Sequence, residues 1–366
     1  MKPKSVLKSL LILSLLSSAI ILSSCDGKKK EIKSDSTIDS TMQSDIRQLL
    51  ENNMKTVEFG WACAVVMETK TGEIKALINL ANYVEDSVSA TLTRIPDFAS
   101  TRLILPGHLF TLASLMACVE DEYINVRDIV VKEKEIRIYD FLIRDNCEKE
   151  ADTISILDAF QLKSNTAIAK IVFNNYKDNP DKFIKKIKQF EIDKALGISW
   201  IKEPLPVITT PGSDNWSNVT MPMLSIGYES KHTPLQLLSF YNAIVNNGKR
   251  IKPVIEKSDT LELPIVLNQS ICSQKTLSAG LRLLHSNQIN SDSVQYPFFG
   301  HSTIVSDFNE HACSRSYQMI SIGFYPVINP KYACIVVCAA KKLTHPNIAF
   351  GTMQDIFKLL PLNQKQ

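Results

Sequence analysis

Residues 61–67 read WACAVVM, residues 69–72 read TKTG and residues 74–80 read IKALINL. The two apolar runs, joined by a glycine-containing turn, predict a β-hairpin. Near the other end of the chain, residues 317–324 and 332–339 have the same character, and the turn VINP (residues 327–330) predicts a second hairpin. Because an isolated hairpin is only marginally stable, we expect the two hairpins to share one sheet.

The segment between the hairpins has a mostly helical pattern. After Pro106-Gly107, apolar residues recur at helical spacing as far as Val119. Pro234 and the stop Asn246-Asn247-Gly248 predict a helix over residues 234–245. Other helices are predicted over residues 154–173, 181–190, 270–284 and 353–360. This order of elements predicts an α+β fold, an antiparallel sheet flanked by helices, rather than a βαβ winding.

The composition is typical of a globular protein. The chain has 366 residues, of which 45% are hydrophobic and 22% charged, and a net charge of +3. Seven lysines lie in the first 33 residues, so the rest of the chain has no basic field and nucleic acid is not expected as a partner. The length fits one large domain or two modest ones.

The N-terminus has the pattern of a secretory signal peptide. Lys2, Lys4 and Lys8 precede an uncharged run over residues 9–24, which is short for a membrane span of about 20 apolar residues. The end of the run, Leu22-Ser23-Ser24-Cys25, resembles the lipobox of bacterial lipoproteins. This resemblance implies a signal peptide over residues 1–24 and lipidation of Cys25. An uncleaved anchor helix is the alternative.

Both alternatives predict an exported protein that is held on a bacterial membrane and faces the periplasm. Residues 25–45 are polar and have no apolar period, which predicts a flexible tether. Residues 46–366 would then form the folded domain. The lysines at positions 28–30 would lie near anionic lipid head groups, or belong to a merely soluble linker.

The eight cysteines divide by their surroundings. Four lie inside apolar runs, which is typical of buried free thiols: Cys63, Cys118, Cys334 and Cys338. Three others lie in polar surroundings and are the candidates for disulfides in an exported protein: Cys147, Cys272 and Cys313. The chain has no CxxC pair, so we expect no zinc site of the usual spacing, and no other cofactor is indicated.

Several segments resemble the transpeptidase domain of class B penicillin-binding proteins. Residues 64–77 (AVVMETKTGEIKAL) are similar to the opening hairpin of that family, and Leu105-Pro106-Gly107 resembles its approach to the active-site helix. The longest match comprises residues 214–217 (DNWS), 225–228 (SIGY), 233–236 (TPLQ) and 241–253 (YNAIVNNGKRIKP). The resemblance implies the penicillin-binding transpeptidase or serine β-lactamase-like fold, with a mostly helical subdomain beside the sheet.

The resemblance also shows where the family's chemistry is altered. Family members acylate the serine of an S-x-x-K motif, and the lysine takes the proton of that serine. Aligned on Pro106-Gly107, the serine position is His108 and the lysine position is Thr111. His108 cannot form the same ester, and Thr111 has no basic lone pair. Loss of a covalent nucleophile lowers turnover by about a millionfold.

The S-x-N motif aligns with residues 163–165. Its serine, which helps to pass the proton, is replaced by Lys163, whereas its asparagine is kept as Asn165. The resemblance places Lys163 in one cleft with His108 and with the third motif. This motif, K-T-G, lies on a strand that in the family binds the substrate carboxylate and half of the oxyanion.

The K-T-G motif aligns with residues 301–303. His301 replaces the lysine, and an unperturbed histidine is mostly neutral at pH 7. Ser302 could still donate a hydrogen bond to a substrate. Thr303 adds a side chain where the family keeps glycine, which lets the substrate lie against the strand.

These alterations predict a catalytically inactive, penicillin-binding-protein-like lipoprotein. It would act in cell-wall assembly by binding the peptidoglycan stem peptide or a partner, such as a cell-wall synthase or another divisome protein. One alternative is a divergent D,D-transpeptidase or carboxypeptidase with a different nucleophile, such as Ser114 or Cys118, although core packing explains both residues better. Another is a hydrolase whose metal is held by two histidines and a third ligand. A purely structural scaffold is the remaining alternative.

Overall fold

The computed structural model describes residues 34–82, 96–145, 151–258, 262–287, 298–309 and 314–361. The predicted signal peptide, Cys25, Cys147 and Cys313 lie outside these residues. The strands are β1 (Ser34–Ser36), β2 (Phe59–Glu68), β3 (Ile74–Ala81), β4 (Ile129–Glu133), β5 (Glu135–Ile138), β6 (Phe141–Arg144), β7 (Ala151–Ser155), β8 (Val207–Ile208), β9 (Ser230–Lys231), β10 (Arg250–Ile251), β11 (Glu256–Ser258), β12 (Val266–Asn268), β13 (Phe299–Asn309), β14 (Ser314–Tyr325) and β15 (Tyr332–Ala340). The helices are α1 (Ser40–Met54), α2 (Phe98–Thr101), α3 (Thr111–Glu120), α4 (Ile156–Gln161), α5 (Asn165–Tyr176), α6 (Pro180–Gln189), α7 (Thr220–Ser225), α8 (Pro234–Val245), α9 (Gln274–Ser286) and α10 (Ile348–Leu359).

A five-stranded antiparallel sheet joins the two ends of the chain. Its strand order is β13-β14-β15-β2-β3, so the two predicted hairpins meet where β15 pairs with β2. The prediction that they share one sheet is confirmed. β15 is buried along its whole length, because it is a central strand covered on both faces. β13 is an edge strand and pairs only with β14 within this sheet.

Alternation along β2 divides the core into two layers. Successive side chains of a strand point to opposite faces. Cys63, Val65 and Met67 belong to the larger apolar cluster, which includes residues of α3, α5, α6, α8 and α9. Their neighbours Ala62, Ala64 and Val66 belong to a second cluster with α1 and α10. The sheet is therefore flanked by a thick helical layer on one face and by the two terminal helices on the other.

Helix α8 shows how local sequence sets an element's bounds. Thr233 accepts a hydrogen bond from the backbone N–H of Gln236, and the Gln236 side chain accepts one from the backbone N–H of Thr233. This capping box, with Pro234 at the first helical position, fixes the start. Asn246 follows the last helical residue, so the predicted bounds, 234–245, are confirmed.

The single helix predicted over residues 154–173 is wrong. Residues 151–155 form β7, and two helices follow, α4 and α5. They are separated because Lys163 adopts a left-handed backbone conformation, with φ +56°, and Ser164 caps α5 by accepting a hydrogen bond from the Ala167 N–H. This break places Lys163 on an irregular turn, where its side chain can reach β13.

The predicted tether, residues 25–45, is wrong from Ser34 onward. β1 pairs with β11, and the Thr37 hydroxyl donates a hydrogen bond to the Ile74 carbonyl at 2.8 Å. Asp39 caps α1, whose residues Met42 and Ile46 are buried at the i, i+4 spacing that one helix face presents to a sheet. The folded domain therefore includes residues 34–45 rather than beginning at residue 46.

The cysteines that the structure describes are free thiols in buried positions: Cys63, Cys118, Cys272, Cys334 and Cys338. The four thiols predicted to be buried are therefore confirmed. Cys272, a predicted disulfide candidate, is instead free and only 6% exposed. It packs in the larger apolar cluster, and the polar sequence around it did not indicate this burial.

The described helices are all modest in length. The longest, α1, has 15 residues, and its second half contains the polar residues Gln48, Asn52 and Asn53. Within the described ranges, no helix has both the length and the apolar character that a membrane crossing requires.

Candidate functional site

The start of α3 is held by direct backbone packing. The Gly107 N–H donates a hydrogen bond to the Gly227 carbonyl at 3.2 Å. A Cβ atom at Gly227 would lie 2.1 Å from the Gly107 carbonyl oxygen, and both glycines have positive φ. Only glycine permits this approach and this backbone conformation. The contact fixes the tight 3-10 turn Gly107–Phe110, from which α3 continues.

His108, which the sequence alignment on Pro106-Gly107 predicts to replace the family's nucleophile, lies on this turn. Its backbone N–H donates a hydrogen bond to Thr303 Oγ1 at 3.2 Å. Its Nδ1 is buried and has no hydrogen-bond partner among the described residues. Burial, with a smaller contribution from the Lys163 charge, lowers the pKa of His108 to about 4. The imidazole is therefore neutral at pH 7.

Thr111, which the same alignment predicts to replace the motif lysine, is fully buried. Its hydroxyl donates a hydrogen bond to the His108 carbonyl at 2.6 Å, which ties the 3-10 turn to the first residue of α3. The side chain has neither a base nor access to the cleft. The Thr111 hydroxyl is therefore used in a hydrogen bond at the start of the helix.

His301 and Thr303 lie on one face of β13, towards the helical layer. His301 is 3% exposed; its Nδ1 lies 3.2 Å from the Tyr241 hydroxyl, and its ring centroid is 4.4 Å from that of Phe160. Burial, then the charges of Lys163 and His108, lower its pKa well below 6.5. His301 is therefore a neutral core residue rather than a substitute for a lysine.

The hydrogen bonds of Tyr241 determine which ring nitrogen of His301 is protonated. The Tyr241 hydroxyl is 2.8 Å from the Leu109 carbonyl, which can only accept. If the hydroxyl donates there, His301 must donate from Nδ1, and its Nε2 is then unprotonated, buried and without a partner in the described structure. Sequence analysis did not single out Tyr241, although it lies at the start of the matched segment 241–253. Its partners are 132 and 60 residues away, so no local pattern shows the contact.

Lys163 and Ser302 form a contact on the other face of β13. Ser302 lies between His301 and Thr303, so its side chain leaves the strand on the opposite side. Lys163 Nζ donates a hydrogen bond to Ser302 Oγ at 3.0 Å. Burial lowers the pKa of Lys163 below its usual value. Both residues line a cavity of about 280 Å³.

Asn165, the residue kept from the S-x-N motif, begins α5. Its side-chain amide donates a hydrogen bond to the Arg144 carbonyl at 3.3 Å, and its Oδ1 is buried with no described partner. The Lys163 charge acts on both His108 and His301, so these three residues lie in one region. Asn165 lies two residues from Lys163, on the turn that supplies the ammonium group.

Neither alternative nucleophile on α3 is accessible. Ser114 is fully buried and donates a hydrogen bond to the Ser225 carbonyl at 2.9 Å. Cys118 is also fully buried, and burial raises the pKa of its thiol, which opposes formation of the thiolate. As for the metal alternative, the described residues contain no group of three histidine, cysteine or acidic side chains that could hold an ion.

Comparison with known proteins identifies the fold family. A family model described as the penicillin binding protein transpeptidase domain matches residues 62–291. The chain belongs to this family. The match includes the start of α3, Lys163 and α8, whereas β13, with His301 and Ser302, follows it.

Curated relatives of this family member are distant in sequence. Peptidoglycan D,D-transpeptidase FtsI of Buchnera aphidicola (subspecies Baizongia pistaciae) is 22% identical over 313 residues, which is 82% of this chain and 53% of that protein. Penicillin-binding protein PbpB of Mycobacterium tuberculosis is 22% identical over 224 residues, 61% of this chain and 32% of that protein. The chain thus spans about half the length of the first relative and about a third of the second.

Solved structures confirm the predicted fold of this family member. Penicillin-binding protein 2B of Streptococcus pneumoniae (strain R6) superposes with a TM-score of 0.76 at 16% identity, over 90% of this chain and 60% of that one. Penicillin binding protein 3 of Mycobacterium tuberculosis, complexed with aztreonam, superposes with a TM-score of 0.71 at 19% identity, over 90% of this chain and 80% of that one. The transpeptidase fold is therefore shared with these proteins at low sequence identity.

Proposed function

We propose that this protein has lost the family's acyl-transfer reaction and acts in peptidoglycan assembly by binding, either to the stem peptide or to a partner synthase. One observation carries the loss of the reaction. The backbone N–H of His108, at the nucleophile's position, donates its hydrogen bond to Thr303 Oγ1 within the protein. The amide is therefore occupied, and the side chain beside it is a neutral imidazole.

Acyl transfer needs both a nucleophile and free hydrogen-bond donors at the point where the oxyanion develops. Here the described cleft has no serine at position 108 and no lysine at position 111. Thr303 also fills the space against Gly107, where a Cβ atom would lie 3.0 Å from Thr303 Oγ1. The inner face of β13 is thus packed against the 3-10 turn that precedes α3, which supports a role that does not require acylation at this site.

A role in peptidoglycan assembly is supported by the relatives, two of which are named peptidoglycan D,D-transpeptidases. The N-terminal sequence supports the same compartment. A signal peptide over residues 1–24 and a lipidated Cys25 would attach the folded domain to a membrane on its periplasmic side. The predicted targeting of the protein to a membrane as a lipoprotein and its binding role are parts of one proposal.

Co-sedimentation of the purified full-length protein with peptidoglycan sacculi tests the binding role. Sacculi that keep their stem peptides are compared with sacculi from which an amidase has removed them. We expect retention on the first and loss on the second if the stem peptide is the ligand. Retention on neither, together with co-purification of a cell-wall synthase from cross-linked membranes, would support the partner instead. Failure of both would contradict the proposal.

Membrane fractionation of a Cys25→Ala variant tests the lipid anchor. We expect the variant to accumulate as an unprocessed, unlipidated precursor, whereas a Cys147→Ala control is processed normally. Unchanged processing and lipidation of Cys25→Ala would contradict the lipoprotein assignment.

A further inference from the structure

Ser302 and Lys163 have the arrangement of a nucleophile and its base. Their reacting atoms, Oγ and Nζ, are 3.0 Å apart, within the range for direct proton transfer. Ser302 is only partly buried, so its hydroxyl is accessible from the adjoining cavity, whereas His301 and Thr303 on either side are buried. The pair therefore lies on the face of β13 opposite to the closed inner face.

Lys163 is held without a counter-charge. Burial is the cause that lowers its pKa, and no described carboxylate opposes this effect. Its backbone has φ +56°, a conformation that is uncommon for residues other than glycine and that often occurs at functional sites. Burial favours the unprotonated amine, which is the form that accepts a proton.

The cavity beside the pair has suitable size and polarity. Its volume is about 280 Å³, just below the range of pockets that hold drug-sized ligands, about 300–1,000 Å³. Phe298 and Phe350 are among the apolar lining residues, and the lining contains no acidic residue. Asn287 also lines the cavity, and its buried Nδ2 has no partner in the described structure. This amide has no hydrogen bond to lose in the described structure if it turns towards the negative charge that develops on a bound ester.

We propose that Ser302 and Lys163 form a serine–lysine pair that hydrolyses small carboxylic esters in this cavity, with Asn287 as donor to the oxyanion. The cavity size limits the substrate to esters with a short acyl group. This inference does not rest on the proposed binding function, because it concerns the other face of β13 and a different reacting atom from the family's.

The reaction consumes one water and needs no other reactant. Unprotonated Lys163 takes the proton of the Ser302 hydroxyl while Oγ forms a bond to the carbonyl carbon of the ester. The tetrahedral intermediate collapses, the ester C–O bond breaks, and the Lys163 ammonium gives its proton to the leaving alkoxide. Water then attacks the acyl group on Ser302, with Lys163 taking a proton from the water and returning it to Ser302 Oγ. The products are the free acid and the alcohol.

Hydrolysis of p-nitrophenyl acetate by the purified full-length protein tests the pair. We expect Ser302→Ala to lower the enzymatic rate about 100-fold or more, to the uncatalysed background. Ser306→Ala is the matched control, because Ser306 lies on the same strand and face and is exposed; it should keep the full rate. The rate should rise with pH and level off above the lowered pKa of Lys163.

Lys163→Arg separates a base from a structural cation. Arginine keeps the charge and can donate a hydrogen bond to Ser302, but it does not accept a proton at these pH values. We expect this variant to lose the activity as completely as Ser302→Ala. An unchanged rate in Lys163→Arg or in Ser302→Ala would overturn the proposal, provided that thermal unfolding shows both variants to be folded.

Diisopropyl fluorophosphate gives a test that needs no variant. Serine attack on phosphorus expels fluoride and leaves a stable phosphoryl ester. We expect one adduct per chain, mapped by peptide mass to Ser302 in the unmodified protein. No adduct, or an adduct on a different residue, would overturn the proposal. Binding to sacculi is measured on the unmodified protein without any ester, so failure of this proposal and failure of the binding function are distinguishable.

Discussion

The two faces of β13 have opposite properties within three consecutive residues. On the inner face, His301 and Thr303 are buried and paired with Tyr241 and with the His108 N–H. On the outer face, Ser302 is partly exposed, beside a cavity and a lysine. Because side chains alternate along a strand, one face of a motif can be closed while the other stays open. Fold conservation therefore says little about which face of this strand is available to a ligand.

The largest effect on the free energy of unfolding should come from disturbing the packing of Gly227 on Gly107, next to the inner face of β13. Gly227→Ala would place a Cβ atom 2.1 Å from the Gly107 carbonyl oxygen, at a backbone φ of +85°. We expect it to lower the free energy of unfolding by about 4 kcal/mol, because it combines overpacking with left-handed strain. Urea denaturation provides the measurement.

Gly212→Ala is the matched control for this prediction. Gly212 has a similar φ of +87°, but nothing lies within 4 Å of its added Cβ. It should cost only about 1 kcal/mol from the left-handed backbone. Equal losses for the two variants would show that the packing of Gly227 on Gly107 does not matter.

The next effect is the pH dependence that His108 contributes to stability. The pKa of His108 is about 4 in the folded protein and about 6.5 when unfolded, so the unfolded chain binds the additional proton between these values. The contribution of His108 to the free energy of unfolding is therefore fully present above pH 6.5 and is lost as the pH falls towards 4. Between pH 7 and 4 we expect the unmodified protein to lose up to about 3 kcal/mol more than His108→Gln.

Urea denaturation of both proteins at several pH values measures this difference, and His301, which remains in both, cancels from it. Equal pH dependence in the two proteins would contradict a neutral His108 with a lowered pKa. An NMR titration that shows a raised pKa for His108 would contradict it independently.

A smaller effect should follow from loss of the Thr303 hydroxyl. Thr303→Val keeps the shape of the side chain but removes the acceptor of the His108 N–H. We expect a loss of about 2 kcal/mol, because a buried donor is left without a partner. Thr303→Ser keeps the hydroxyl and should lose less. Faster hydrogen exchange of the His108 amide in the valine variant would confirm the cause, whereas equal stability of the valine variant and the unmodified protein would refute it.

The smallest effect should be that of Ser302→Ala on stability. Ser302 is partly exposed and makes one side-chain hydrogen bond, to Lys163, among the described residues. We expect a change below about 1 kcal/mol in the free energy of unfolding. The contrast with Thr303→Val, at the next residue, compares the two faces directly. A loss as large as that of Thr303→Val would show that both faces are equally structural.

Local signals predicted much of the scaffold. The proline and the Asn-Asn-Gly stop gave the bounds of α8, and the two apolar hairpins gave four strands of the sheet. The break between α4 and α5 was missed because apolar residues recur at helical spacing on both sides of Lys163, and no local pattern indicates its left-handed conformation. The folded structure of residues 34–45 was missed because this segment is mostly polar, and Met42 and the following Ile46 are its main buried apolar residues.

The family resemblance proposed residues for the site but could not give their contacts. The family resemblance gave the positions of His108, Thr111, Lys163, Asn165 and residues 301–303. It could not show that Thr303 accepts from the His108 N–H, or that Lys163 reaches Ser302, since these partners are 195 and 139 residues apart. Such contacts depend on how β13 and the helical layer pack, and no sequence window contains both partners.

Intact-mass measurement after incubation with a labelled penicillin tests the central claim, that the family's reaction is lost. The purified full-length protein is incubated at pH 7, and its mass is compared with that of an untreated sample. The account expects no adduct, because position 108 offers a neutral imidazole and an amide that is already bonded to Thr303. A stoichiometric penicilloyl adduct would contradict it unless peptide mapping places the adduct on Ser302, the nucleophile of the separate ester hydrolysis proposed above.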